Sequence, residues 1–287
     1  MPAMKSKGGP WTERKLAALR KYMPAFNQAL SKQQFKRIYI DAFAGSGSRE
    51  LDEVPLLEND ADIAKIAKGS ARIALESAPA FHKFIFIEKS AKNAAALEAL
   101  RAQFSNLDVE IRRTDANAEL TKIAKAWDNK RSRGVLFLDP YGCQVEWRCL
   151  AAVAATRAID VWVLFPLNAV RRMLPRDGVF EAGWRERLDL LFGTSAWFDR
   201  FYPRESADDL FGAHEPQRVR KATLDGVEGF YRERLFEIFQ GGVCRKPLRL
   251  GAPNRDPLFS LFFACSNPSE AAKKLAHKIA NDILKST

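Results

Sequence analysis

The chain has 287 residues, 47% hydrophobic and 28% charged, which is the balance of an ordinary globular protein with room for a sizeable core. No run approaches the roughly 18 apolar residues of a membrane helix, and the basic N-terminus has no apolar stretch behind it, so neither a membrane span nor a secretory signal is expected. With 46 basic and 35 acidic residues the formal net charge is +11, a surface that concentrates polyanions and points to nucleic acid as a partner.

Residues 11–30 carry Leu16, Leu19, Tyr22, Met23, Phe26 and Leu30 at helical spacing, with Thr12 as a candidate cap and Pro24 as an expected end or kink. A buried strand is predicted over 36–44. A polar, irregular stretch follows, with six carboxylates between Glu50 and Asp62; the insertion 49–70 is read as a lid or a partly ordered loop. Strands at 83–89, 108–115, 133–142 and 159–167 then alternate with helices at 71–77, 91–104, 118–130 and 146–156. Near-continuous apolar strand cores predict a parallel sheet covered on both faces. Residues 185–240 read as helical around a Pro- and charge-rich middle. Two strands, 243–250 and 258–265, form an antiparallel hairpin, and a helix over 268–284, capped by Ser266 or Asn267, closes the chain. The expected organisation is an N-terminal helical segment (1–36), a Rossmann-like cofactor-binding core (37–167), a helical, basic substrate-side insertion (168–240) and a terminal hairpin and helix (241–287) completing one domain.

Four cysteines, Cys143, Cys149, Cys244 and Cys265, form no C-x-x-C pair and read as small buried residues in a reducing, cytoplasmic compartment. Three histidines lie far apart in sequence, so no metal site is expected.

Ligands of open parallel sheets bind outside the carboxyl ends of the strands. Acidic residues stand at four successive predicted strand ends: Asp41, Glu88, Asp115 and Asp139. Any one of them can serve merely to cap the next helix. After the first strand comes D-A-F-A-G-S-G, with Gly45 and Gly47. A dinucleotide loop needs a third glycine where this chain has Glu50, so that fingerprint fails. A carboxylate followed by a glycine turn suits a cation approached closely by backbone, rather than a phosphate.

This arrangement resembles class I S-adenosylmethionine-dependent methyltransferases. The resemblance implies a seven-stranded sheet whose last hairpin is antiparallel, with S-adenosylmethionine as cofactor. It implies that Asp41, Ala42, Phe43, Gly45 and Gly47 face the cofactor's amino-acid end, that Glu88 binds the ribose hydroxyls, and that Asp115 and Ala116 meet the adenine. Glu88 lies 41 residues after Gly47, against a usual separation of about 20; the acidic insertion accounts for the excess.

At the fourth strand end, Asp139-Pro140-Tyr141-Gly142 resembles the D-P-P-Y motif of amino-methyltransferases that act on adenine, with one proline missing. An exocyclic amine is a poor nucleophile because its lone pair is delocalised into the ring. Asp139 and the Pro140 carbonyl are suited to accept its two N–H bonds, and Tyr141 to stack on the base. Asp-Pro-x-Gly is equally the signature of a tight turn.

Five ordered blocks widen the resemblance: W-T-x-x-K-L-x-x-L-x-x-Y at 11–22, Y-I-D-A-F-A-G-S-G at 39–47, F-I-E-K at 86–89, F-L-D-P-Y-G-x-x-V-x-W at 137–147 and I-D-V-W-V-L-F-P-L at 159–167. Together they resemble the three-Cys-motif partner family, TcmP. That family is bacterial, has a methyltransferase-like fold, and implies a partner protein carrying a three-cysteine motif.

Basic clusters at 168–176, 218–222 and 244–249, with Trp184, Trp197, Phe201 and Tyr202 close in sequence, read either as a nucleic-acid groove or as solvated charge over a packed helical subdomain. Arg171, Arg172 and Arg176 are the candidates for phosphate contact. The leading expectation is methyl transfer to an amino group of a nucleic-acid base. The alternatives are a peptide or small-molecule methyltransferase, and a non-catalytic module that binds nucleic acid or a partner.

Overall fold

The computed structural model describes residues 10–46, 69–204 and 219–287; Gly47, Arg218 and nearly all of the acidic insertion lie outside them. The elements are α1 (Pro10–Ala29), β1 (Lys36–Asp41), α2 (Ser70–Leu75), β2 (Lys83–Ile87), α3 (Ala91–Ala102), β3 (Val109–Arg112), α4 (Ala116–Lys125), β4 (Ser132–Leu138), α5 (Trp147–Ala155), β5 (Ile159–Phe165), α6 (Leu167–Arg172), α7 (Trp184–Phe192), α8 (Ala196–Phe201), α9 (Leu224–Ile238), β6 (Leu248–Leu250), β7 (Phe259–Cys265) and α10 (Glu270–Ser286). Among the described residues, no helix is long and apolar enough to cross a membrane.

The strands form one sheet in the order β3-β2-β1-β4-β5-β7-β6. The first five are parallel, and β7 runs antiparallel to both β5 and β6. This is a Rossmann-like, seven-stranded α/β sheet with an antiparallel last hairpin, as expected. The strand order reverses between β1 and β4, and that switch point opens a crevice at their carboxyl ends.

Side chains alternate across each strand, and the alternation sorts the two faces chemically. Ile38, Ile40, Ile85, Ile87, Leu136, Leu138, Val161, Val163 and Phe165 pack with α4, α5 and the helices from α6 to α9. Tyr39, Phe84, Phe86, Phe137, Trp162, Leu164 and Phe263 pack with α1, α2, α3 and α10. The second face is aromatic: Tyr22 of α1 meets Trp162 edge-on at 5.3 Å and Phe263 at 5.1 Å. Rings in such arrangements add about 0.5–1.5 kcal/mol per pair beyond the area they bury.

Several sequence expectations need correction. Helix α1 begins at Pro10, so Thr12 lies within its first turn rather than capping it. Pro24 neither ends nor replaces the helix, which continues to Ala29. Leu16, Leu19, Tyr22, Met23 and Phe26 are buried along one stripe of α1, and that packing outweighs the hydrogen bond a proline removes. The strand predicted over 243–250 is reduced to Leu248–Leu250 with an isolated bridge at Val243. Ser269 is the cap residue of α10, while the Ser266 hydroxyl bonds both the N–H and the C=O of Ile159. Three of the aromatics next to the basic clusters, Trp197, Phe201 and Tyr202, are fully buried and belong to the core.

Candidate active site

The parity of β1 sends Asp41 to the same face as Tyr39, toward α1 and α2. Asp41 is wholly buried, and neither carboxylate oxygen meets full hydrogen-bond geometry with any described residue, the Ser70 hydroxyl and the Phe43 N–H being the donors nearest to it. Burial is the main cause that raises its pKa to about 7; the Asp139 charge adds to the rise, while Ser70, the Phe43 backbone and Lys15 oppose it. A carboxylate so placed is a strong local demand for a cation.

The loop after Asp41 is pinned on both sides. Ala42 donates to the Phe137 carbonyl of β4 at 3.2 Å, and Ala44 to the Ile87 carbonyl of β2 at 3.2 Å. Gly45 has φ of +61°, a left-handed conformation that favours glycine. Its N–H donates to Glu88 Oε2 at 2.9 Å, and Ser90 N–H donates to Oε1 at 2.7 Å. Glu88 is thereby oriented by two backbone donors, and each oxygen retains a further lone pair.

Asp115 stands three residues beyond the end of β3 and caps α4, its Oδ1 accepting from Asn117 and Ala118 N–H at 3.1 Å each. The capping role is therefore real, and Oδ2 makes no hydrogen bond among the described residues. Ala116 is buried in the first turn of α4. Sequence reasoning missed Asn117. Its buried amide donates to the Gln144 carbonyl at 2.9 Å and accepts from Glu146 N–H at 2.9 Å, anchoring the segment after D-P-Y-G to α4.

Strand β4 ends at Leu138, so Asp139, Pro140 and Tyr141 form the loop that follows. Pro140 is buried, and Tyr141 is 64% exposed at the crevice rim. Asp139 forms an ion pair with Lys15 of α1, their side chains 26% and 12% exposed. Lys15 is a second residue that periodicity did not single out, because its partner is 124 positions away. It was nonetheless visible as the K of the first sequence block. The same helix is anchored about two turns further on, where the Tyr22 hydroxyl donates to Asp160 Oδ2 at 2.6 Å. The first block thus meets the fourth and fifth through two polar contacts.

Glu88 and Asp41 flank the Gly45 turn, and Asp139 lies beside Asp41 across the switch point; Asp115 is further out, beyond β2 on the outer strand β3. Arg171, Arg172 and Arg176 are exposed on and just after α6. Arg171 pairs with Asp256. Other basic residues are structural: Arg220 donates to the Leu174 carbonyl, and Arg249 binds Asp225 and Glu228. All four thiols are free, and burial pushes Cys143 to about 11 and Cys149 and Cys244 each to about 12, so they stay protonated.

No protein-family model matches the chain, and no curated protein matches it. The TcmP resemblance accordingly rests on the sequence blocks alone. Among solved structures, protein LPL1258 from Legionella pneumophila is similar over 96% of this chain and 93% of its own, at 13% identity and a TM-score of 0.51. That likeness concerns the fold. Looser likenesses, at TM-scores of 0.36 and 0.35, reach an S-adenosylmethionine-dependent methyltransferase from Clostridium acetobutylicum and the N-terminal domain of EvdMO1 with SAH bound. The first is 9% identical over 85% of this chain and 91% of that one; the second is 12% identical over 86% and 79%. At those scores neither carries an argument about chemistry.

Proposed function

We propose that the chain is an S-adenosylmethionine-dependent methyltransferase acting on an amino group of a nucleic-acid base. The observation that carries this reading is Asp41, a carboxylate wholly withdrawn from water whose oxygens reach full hydrogen-bond geometry with no described residue. A buried carboxylate is tolerated when a cation joins it, and the ammonium at the cofactor's amino-acid end is such a cation. Beside it, Ala42, Phe43 and the Gly45 turn offer backbone at close approach. Glu88 keeps lone pairs for two ribose hydroxyls, and Asp115 with Ala116 borders the adenine. When bound, S-adenosylmethionine supplies an electrophilic methyl group.

This chain's residues do the rest. Asp139 and the Pro140 carbonyl accept the two N–H bonds of the acceptor amine and keep its lone pair on nitrogen, and Asp139 is the nearest group to take the proton released. Tyr141 stacks on the base. Lys15 holds Asp139 in place until the acceptor amine displaces it. Because Lys15 is itself an alkyl ammonium seated on Asp139, a peptide or small-molecule amine is the second reading.

Titration calorimetry is expected to show binding of S-adenosylmethionine and none of NAD; the reverse overturns the cofactor assignment. Incubation with tritiated methyl donor and total RNA, DNA or peptides identifies the acceptor. Label that persists unchanged in Asp139→Ala removes that residue from the chemistry. Nucleic-acid binding without turnover supports the non-catalytic module instead.

A further inference from the structure

A cleft of about 430 Å³ lies at the same edge of the sheet, lined by Trp11, Asn168, Ala252, Arg255, Asp256 and Leu258. Of these residues only Asp256, the partner of Arg171, has entered the site described above. Trp11 is one turn of α1 before Lys15, an axial separation of about 6 Å. Asn168 is in the first turn of α6, directly after β5, the strand that neighbours β4 and its Asp139. The far wall is the β6–β7 loop, held to α6 by the Asn168 N–H donating to the Leu258 carbonyl at 3.0 Å. One wall of the cleft thus stands a single helical turn from Lys15, the partner of Asp139.

Its chemistry is specific in kind. Trp11 brings a large aromatic face, only partly covered by the core. The Asn168 side-chain amide and the exposed Arg255 guanidinium make no hydrogen bonds or ion pairs among the described residues, whereas Arg171 at the rim is neutralised by Asp256. An aromatic plane, an uncommitted amide and an uncommitted cation together match the base face, base edge and phosphate of a nucleotide. The cleft's volume also falls in the range of about 300–1,000 Å³ of small-ligand sites.

We propose that this cleft receives the acceptor nucleotide of a single strand, with Trp11 stacking on the base, Asn168 hydrogen-bonding its edge and Arg255 meeting the adjoining phosphate. The inference rests on the methyltransferase reading of Asp139, to which the base presents its amine by displacing Lys15. A strand is favoured over a free nucleotide because exposed Arg172 and Arg176 continue outward from α6, on a chain of net charge +11.

The test is fluorescence anisotropy with a labelled single-stranded RNA of about twelve mixed nucleotides, a length within the site sizes of strand-binding folds. Binding to wild type is compared with Arg255→Glu, Asn168→Ala, Trp11→Ala and Trp11→Phe, alongside calorimetry with S-adenosylmethionine. Arg255→Glu and Trp11→Ala are expected to weaken RNA binding about tenfold or more, with Trp11→Phe within about threefold of wild type, since stacking is worth about 1–3 kcal/mol per base. Cofactor affinity is expected to stay unchanged in all four. Arg255→Glu lies on an exposed loop and keeps the test valid if Trp11→Ala fails to fold. Wild-type RNA affinity in both Arg255→Glu and Asn168→Ala overturns the proposal. So does displacement of the RNA by a lysine-rich peptide, which would make the occupant a protein. Competition by AMP or CMP as strong as that of unlabelled RNA overturns the strand. Cofactor binding without RNA binding sinks the cleft alone, whereas no cofactor binding sinks the reading beneath it.

Discussion

At Asp41 folding and the proposed function pull in opposite directions. Its pKa is about 7 in the folded chain, against about 3.9 when unfolded. Between those values the folded chain holds a proton that the unfolded chain has lost. Stability therefore falls as pH rises from about 4 to about 7, and the loss is complete above that. Asp41→Asn is expected to abolish that pH dependence, making the unliganded variant more stable than wild type at about pH 8 by a few kcal/mol. Thermal melts at about pH 5 and pH 8 check it. An equal slope in both proteins refutes the assignment. The same substitution is expected to weaken S-adenosylmethionine binding about a hundredfold or more, because a buried ion pair loses one partner. In wild type, affinity is expected to rise with pH between about 6 and 8, as cofactor binding expels the Asp41 proton; calorimetry in buffers of different ionisation enthalpy reads that proton directly.

Among the elements, α1 does two jobs at once. Its apolar stripe covers the aromatic face of the sheet, and its polar residues Lys15 and Tyr22 reach Asp139 and Asp160. Tyr22→Phe leaves Asp160 buried without that donor, and the cost is expected to be about 1–3 kcal/mol. Chemical denaturation measures it. A change under about 0.3 kcal/mol would mean that Asp160 holds its proton and finds no use for the hydroxyl. Periodicity over 11–30 revealed the buried stripe of α1 but also suggested a break at Pro24, since the missing hydrogen bond is local information and the compensating packing is not. The strand-end loops were legible for the same local reason: an apolar run followed by Asp, Gly or Pro is a short-range signal. The pairing of Lys15 with Asp139 was not, because only the folded chain brings residues that distant together.

Taken as a whole molecule, the protein carries its excess positive charge unevenly in function. Part of it is structural, as Arg220 on the Leu174 carbonyl and Arg249 against Asp225 and Glu228 illustrate. Arg172, Arg176 and Arg255, by contrast, are exposed. If these three residues meet the backbone of a strand, the logarithm of affinity for single-stranded RNA is expected to fall with log salt at a slope near −2, about −0.7 per phosphate. A flat salt dependence would leave the net charge as a matter of solubility only. The sequence was sufficient for the sheet, its parallel majority and its antiparallel ending, because strand hydrophobicity and short connections are written within a few neighbouring residues. It was also sufficient to mark Asp41, Glu88, Asp115 and Asp139 as strand-end carboxylates. It could not rank them, since burial, partners and the field of other charges exist only once the chain is packed. Folding made Asp41 a wholly buried acid, Glu88 a clamp on Gly45, Asp115 a helix cap and Asp139 the partner of a lysine, four different environments for one residue pattern.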